Sequence, residues 1–178
     1  MKKPYTVTVM PGDGIGPEVM GATLRVLEAT GVPFSWDMQL LGEEAEARTG
    51  HNLPRETLNS ISLNKIAIKG PTATPSGSGH RSVNVRLRET FDLIMNVRPV
   101  VTTPVKTRYS DVPIDLLILR MNLGDLYVGE EEQVPGGYAA SAVFLYGECH
   151  AFARMAYEYA HRMRRSKMTI RHKSNILK

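Results

Sequence analysis

The sequence predicts an α/β fold, with helices laid on the faces of a sheet, and three observations carry that prediction. Strand-like and helix-like stretches alternate along the first hundred residues. The first strand candidate alternates β-branched and polar side chains, and the stretch behind it changes to helical apolar spacing. Glycine and proline mark the breaks between such stretches.

Taken in order, YTVTVM at 5–10 reads as a strand. It breaks at PGDGIGPE, after which EVMGATLRVLEAT has a helical apolar pattern and stops at Gly31, where glycine releases the chain from helical geometry. PFSWDMQL is a second strand. LPRETLNSISLN is a helix with proline in its first turn, and KIAIKG is a buried strand. A hydroxyl-rich loop, GPTATPSGSG, leads into the helix SVNVRLRETF, and DLIMNVRPV runs extended up to its proline.

Beyond Pro99 the character changes. TTPVKTRYSDVP is a crossing segment, followed by the strongly apolar strand IDLLILRM at 114–121. Pro135-Gly136-Gly137 between extended pieces signals a hairpin. ECHAFARMAYEYAHRMRR carries alanines and aromatics at helical spacing, and KMTIRHKSNILK reads as one more strand turning out of the sheet. There is no internal repeat or low-complexity tract.

With 178 residues, 42% hydrophobic and 22% charged, the chain suits one soluble globular domain or two small lobes sharing a core. No apolar run approaches the roughly 20 residues of a membrane span, and MKKPYTVTVMPGDG lacks the apolar core of a signal peptide. The expected location is the cytoplasm, or the mitochondrial matrix if the chain is imported. Cys149 is the single cysteine, which excludes an internal disulfide and points to packing.

The net charge of +4 is uneven: residues 154–178 hold eight Lys/Arg against Glu158 alone, a net of +7, which leaves −3 on the first 153. Such a basic end suits an acidic partner or an acidic part of the same fold better than nucleic acid, since no nucleic-acid motif accompanies it.

Two motifs bear on chemistry. Gly12-Asp13-Gly14-Ile15-Gly16 follows a strand, but its spacing is G-x-G-x-G and not the G-x-G-x-x-G of a dinucleotide turn. By itself it supports a tight strand-to-helix turn. The second motif is a convergence of arginines, Arg88, Arg98 and Arg120, at the ends of a helix and two strands. A guanidinium is permanently charged and its planar fork matches a carboxylate, so several of them in one cleft suit a polycarboxylate. Ser82, Asn84 and Thr74 could add neutral hydrogen bonds. Spacing alone fits solvated surface arginines equally well.

The segments VMPGDGIGPEV, IAIKGPTATPSGSGHRSVNVRLRETFDLIMNVRPV, LLILRMNLGDLYVGEEE and RMAYEYAHRMRRSKMTIRHKSNILK together resemble the isocitrate and isopropylmalate dehydrogenase family, in its order and with roughly its spacing. GPTATPSGSGHRSVNVRLR is most similar to the isocitrate enzymes. The resemblance implies an α/β fold with an incomplete large lobe at 1–100, and a small lobe with a clasp-like hairpin at 101–178. It implies that Ser82, Asn84, Arg88, Arg98 and Arg120 hold substrate carboxylates, that Thr74 and Asn175 lie by the cofactor, and that Tyr127 and Lys173 are the acid–base pair. NAD or NADP and Mg2+ or Mn2+ are implied with them: hydride leaves the substrate, a divalent metal polarises the new carbonyl, and CO2 departs.

Two departures qualify what is implied. Where the family has a carboxylate after the arginine of its REN motif, this chain reads Arg120-Met121-Asn122. The family also continues for about as many residues again, through the metal-binding aspartates and the adenine loop. No metal ligand is assigned here: Glu130, Glu131 and Glu132 are most simply a solvated run, and Asp13, Glu18, Asp92 and Asp125 form no recognisable octahedral set. The expectation is an isocitrate dehydrogenase-like protein that keeps a tricarboxylate clamp and is catalytically incomplete alone; it associates as a homodimer or with a complementary chain, and only a complementary chain would allow oxidative decarboxylation of isocitrate. The alternative is a non-catalytic scaffold that binds or regulates a protein partner.

Overall fold

The structure is a computed structural model that describes residues 3–73, 82–172 and 175, side chains at 127–129 excepted. The chain forms two compact units, Met1–Arg86 and Leu87–Lys178.

The first unit is organised around β1 (Tyr5–Met10), the central strand of a three-stranded parallel sheet. β2 (Phe34–Met38) pairs with one edge and β3 (Ala67–Lys69) with the other. α1 (Gly16–Ala29) connects β1 to β2, with Pro17 in its first turn, where a missing N–H costs nothing. Met20 and Leu24 of α1 pack on Val7 and Val9, and Phe34, Trp36 and Ile68 complete that layer. Phe34 and Trp36, two residues apart on one strand, point the same way and stack at 4.8 Å. The Trp36 indole N–H reaches back to Glu28 on α1 at 2.9 Å.

On the opposite face, which carries buried Thr8 and Met10, β1 is met by α3 (Arg55–Asn64), which leads into β3. Thr8 is fully buried there, and its hydroxyl lies 2.6 Å from Ser60 Oγ. Ser60 donates to Asp37 Oδ2 at 2.6 Å, Gln39 donates to Asp37 Oδ1 at 2.6 Å, and the Asn64 amide reaches both Thr8 and Asp37. Each buried oxygen of this layer has a donor, as burial demands.

Two features differ from the sequence reading of this unit. A short helix, α2 (Glu43–Thr49), precedes α3; its EEAEART sequence has no apolar stripe to announce it. β3 was expected to be buried but is half-exposed, because it is an edge strand bonded only to β1 among the described residues.

In the second unit, β4 (Met95–Val101) and β5 (Asp115–Met121) form an antiparallel ribbon. α4 (Val83–Thr90) feeds into β4 through Asp92, whose φ is +48°. α5 (Tyr146–Arg162) packs on the ribbon, burying Ala156 and Ala160, whose small side chains allow close approach. β6 (Asp125–Val134) and β7 (Gly137–Val143) make the expected hairpin around Pro135-Gly136; Gly136 takes φ +87°, the combination of a type II turn.

The strand expected at 167–178 is not found: residues 167–172 have no regular structure, and 173, 174 and 176–178 lie outside the described residues. Alternation of Met168 and Ile170 suits a strand, but a strand needs a ladder partner. Without one here, Ile170 stays 80% exposed.

The Asp37 carboxyl is held below its ordinary value by the Ser60 hydroxyl first and the Gln39 amide next, against a smaller opposing effect of burial, with Asn64 adding to the lowering. A depressed carboxyl stabilises the folded state above the unfolded pKa, and that contribution disappears as pH falls through the folded value. Asp37→Asn should therefore cost about 1–2 kcal/mol at neutral pH, on the scale of a hydrogen bond to a charged group. In urea titrations the wild-type advantage should shrink below about pH 4, near the unfolded carboxyl value.

Candidate functional site

In the first unit, β1 runs through α1 to β2 on one side, and the chain then crosses through α3 to β3 on the other. The crevice beyond the carboxyl ends of β1 and β3 is thus the topological switch point, where open α/β sheets place ligands. Gly12-Asp13-Gly14 leaves β1 there, and Gly70-Pro71-Thr72-Ala73 leaves β3. The two exits touch: a Cβ on Gly12 would collide with Pro71 O, and one on Gly70 with Pro11 O. Glycine is required by that approach, and at Gly12 by a φ of +76° as well.

Asp13 joins three segments at this crevice. Its backbone N–H donates to Pro71 O at 2.8 Å, while its carboxylate accepts from Glu43 N at 2.7 Å and from Ala73 N at 2.8 Å. Lys69, half-buried, donates to Gly70 O at 2.6 Å and Thr72 Oγ1 at 3.3 Å. Burial lowers the Lys69 pKa, and the negative Asp13 nearby opposes that.

A second cluster lies on the β4–β5 ribbon. Asn96 pairs with Arg120 and Arg98 with Ile118. Paired residues in an antiparallel ladder share a face, as do residues two apart. Asn96, Arg98, Ile118 and Arg120 therefore stand on one side of the ribbon. Arg98 Nε donates to Asn96 Oδ1 at 3.0 Å, which orients the exposed guanidinium. Val100, Leu116 and Ile118 continue that face as an exposed apolar strip. Met121 belongs to the other face, with half-buried Leu117 and Leu119, so the thioether after Arg120 is not in the wall that carries the two arginines.

Arg88 ends α4, where a cation complements the helix dipole, and Asn84 sits one turn before it on the same helix. Ser82 O accepts from Arg86 N at 3.1 Å at the start of α4. Asn175 is an exposed turn residue. Tyr127 lies in β6, its side chain outside the described residues, as are Thr74 and Lys173 entirely. The structure thus brings Arg98 and Arg120 together. Among the described residues no three His, Cys, Asp or Glu side chains converge as metal ligands, so no metal-dependent step is derived from this arrangement.

Sequence reasoning missed Asn96, the orienting partner of Arg98, and the bonding role of Asp13, which it places in a tight strand-to-helix turn and does not assign as a metal ligand. The signal for Asp13 was its place between glycines in a strand-to-helix turn. What it bonds to lies 30 and 60 residues away.

Residues 6–178 match the isocitrate/isopropylmalate dehydrogenase family. The NAD isocitrate dehydrogenase catalytic subunit 5, mitochondrial, of Arabidopsis thaliana is 41% identical over 98% of this chain and 46% of its own length. A mitochondrial NAD isocitrate dehydrogenase regulatory subunit of Dictyostelium discoideum is also 41% identical, over 97% of this chain and 47% of its own. The crystal structure of isocitrate dehydrogenase from Methylococcus capsulatus superposes with a TM-score of 0.88 at 41% identity, covering 97% of this chain and 52% of that one. The chain spans about half the length of the curated relatives it matches. With a family match over nearly its whole length and this agreement of folds, the chain belongs to the isocitrate/isopropylmalate dehydrogenase family.

Proposed function

We propose that this chain binds a tricarboxylate of the isocitrate type through Arg88, Arg98 and Arg120, with Ser82 and Asn84 as neutral donors. The observation that carries the reading is the shared face of Arg98 and Arg120, with Asn96 holding the first guanidinium in place. Two guanidinium forks on one sheet face, the first oriented by Asn96, suit two carboxylates of one ligand. We assign the cofactor, NAD or NADP, to Thr74 and Asn175 and proton transfer at the substrate to Tyr127 and Lys173, the lysine serving the site of a second copy. Mg2+ or Mn2+ would supply a Lewis acid only through residues of a wider assembly, since no three His, Cys, Asp or Glu side chains converge among the described residues of this chain.

Because the chain spans about half of its relatives' length, we assign oxidative decarboxylation to an assembly and not to the 178 residues alone. That assembly contains a complementary chain, since a homodimer would only repeat the same half of the relatives' length in both copies. A second reading, a non-catalytic chain that regulates a protein partner, is favoured by the 41% identity to the Dictyostelium discoideum protein named as regulatory.

Calorimetric titration of the purified chain with isocitrate, with and without Mg2+, tests the pocket. Arg98→Ala should weaken binding by about tenfold or more, the scale of a charge-assisted hydrogen-bond pair. Absence of binding by a well-folded wild-type chain would remove the tricarboxylate reading and leave the regulatory one. Separately, the pure chain should give no sustained reduction of NAD or NADP with isocitrate and Mg2+ in an absorbance assay. Robust metal-dependent turnover would overturn its assigned incompleteness.

A further inference from the structure

The glycine turn after β1 has the setting of a phosphate-binding turn, yet it carries an anion of its own, the Asp13 carboxylate, and two of its N–H groups are already used: Asp13 N donates to Pro71 O and Gly16 N to Asp13 O. We propose that Asp13 is a positioning residue that acts as a built-in anion: it locks the exit of β3 and the start of α2 onto the β1–α1 turn, so the crevice is formed before any ligand arrives and the turn makes no phosphate contact.

The argument begins with what meets the carboxylate. Its two oxygens accept from the main-chain N–H groups of Glu43 and Ala73, one bond per oxygen, both under 3 Å. An amide-lined pocket filled by a carboxylate is the arrangement a phosphate otherwise completes. Here the anion is covalently part of the chain, and its negative charge repels a second one.

The surroundings are shaped for that side chain. Gly42 is buried at φ +78°, and a Cβ there would collide with both carboxylate oxygens of Asp13. The 70–73 segment is secured along its length: Gly70 N donates to Met10 O, Lys69 Nζ to Gly70 O and Thr72 Oγ1, Asp13 N to Pro71 O, and Ala73 N to the Asp13 carboxylate. Four consecutive residues leaving an edge strand are thus fixed to the neighbouring turn. A wall held this way spares a ligand the entropy of ordering it, which is the physical content of preorganisation.

This role goes beyond the tricarboxylate reading and does not depend on it, so a failure of isocitrate binding leaves it standing. The test is amide hydrogen exchange, read residue by residue by NMR, on the full chain and its Asp13→Ala and Asp13→Asn variants. In Asp13→Ala the amides of Glu43 and Ala73 should exchange at least about tenfold faster while those of Val7 and Val9 keep their protection, as local and not global opening requires. Asp13→Asn keeps one acceptor oxygen and should preserve protection at one of the two amides. In the wild-type chain, inorganic pyrophosphate should leave the Gly12 and Gly14 amide resonances in place.

Three results would overturn the proposal: undiminished protection of both amides in Asp13→Ala; loss spreading evenly into β1, which marks a general stability residue; or a saturable pyrophosphate shift at Gly12 and Gly14. If the alanine variant fails to fold, the near-isosteric asparagine variant carries the same comparison, and equal protection of both amides in it overturns the role.

Discussion

The structure of the first unit depends on β1 being buried from both sides. A central strand of a parallel sheet has no free edge, and from Val7 to Met10 β1 is buried on both faces, so those four side chains must find internal partners. Val7 and Val9 meet Met20 and Leu24, a purely apolar contact. Thr8 cannot be satisfied that way. Its hydroxyl requires Ser60 and Asn64 from α3, and these in turn are held by Asp37 at the far edge of the sheet. That polar layer ties α3 to both β1 and β2 and thereby sets where β3 begins. The crevice at the strand ends inherits its position from these contacts.

Charge is used differently in the two units. In the first, Asp13 and Lys69 are turned inward on loop backbone, where they restrain main-chain segments. In the second, Arg98 and Arg120 are turned outward on a sheet face, with an amide steering one of them. The first arrangement builds a shape, while the second presents two cationic forks on one face, one of them oriented by an amide. The proposed binding of a ligand would use both, since a ligand must be gripped and also held in one orientation.

The ribbon face that carries the arginines also carries an apolar strip: Leu116 is 56% and Ile118 48% exposed. The hairpin of β6 and β7 is a two-stranded ribbon, a type of element that is marginal in isolation. Surfaces of this kind in a chain matching about half the length of its relatives fit the proposal that it functions within an assembly.

Local patterns in the sequence are enough to establish the alternation of strands and helices, the hairpin at Pro135-Gly136 and the family, and to single out Arg88, Arg98 and Arg120 as candidates. Apolar periodicity, turn residues and short motifs in a recognisable order carry all of these. The same patterns over-read Met168 and Ile170 as a strand, because alternation is local whereas a ladder partner is not. Folding in three dimensions was needed to show that Asp13 bonds to Glu43 and Ala73, that Thr8 needs Ser60, that Asn96 steers Arg98, and that Met121 turns away from the arginine face. Each of these depends on strand register or on main-chain groups brought together from distant parts of the chain. Such groups carry no side-chain signature that a sequence can display.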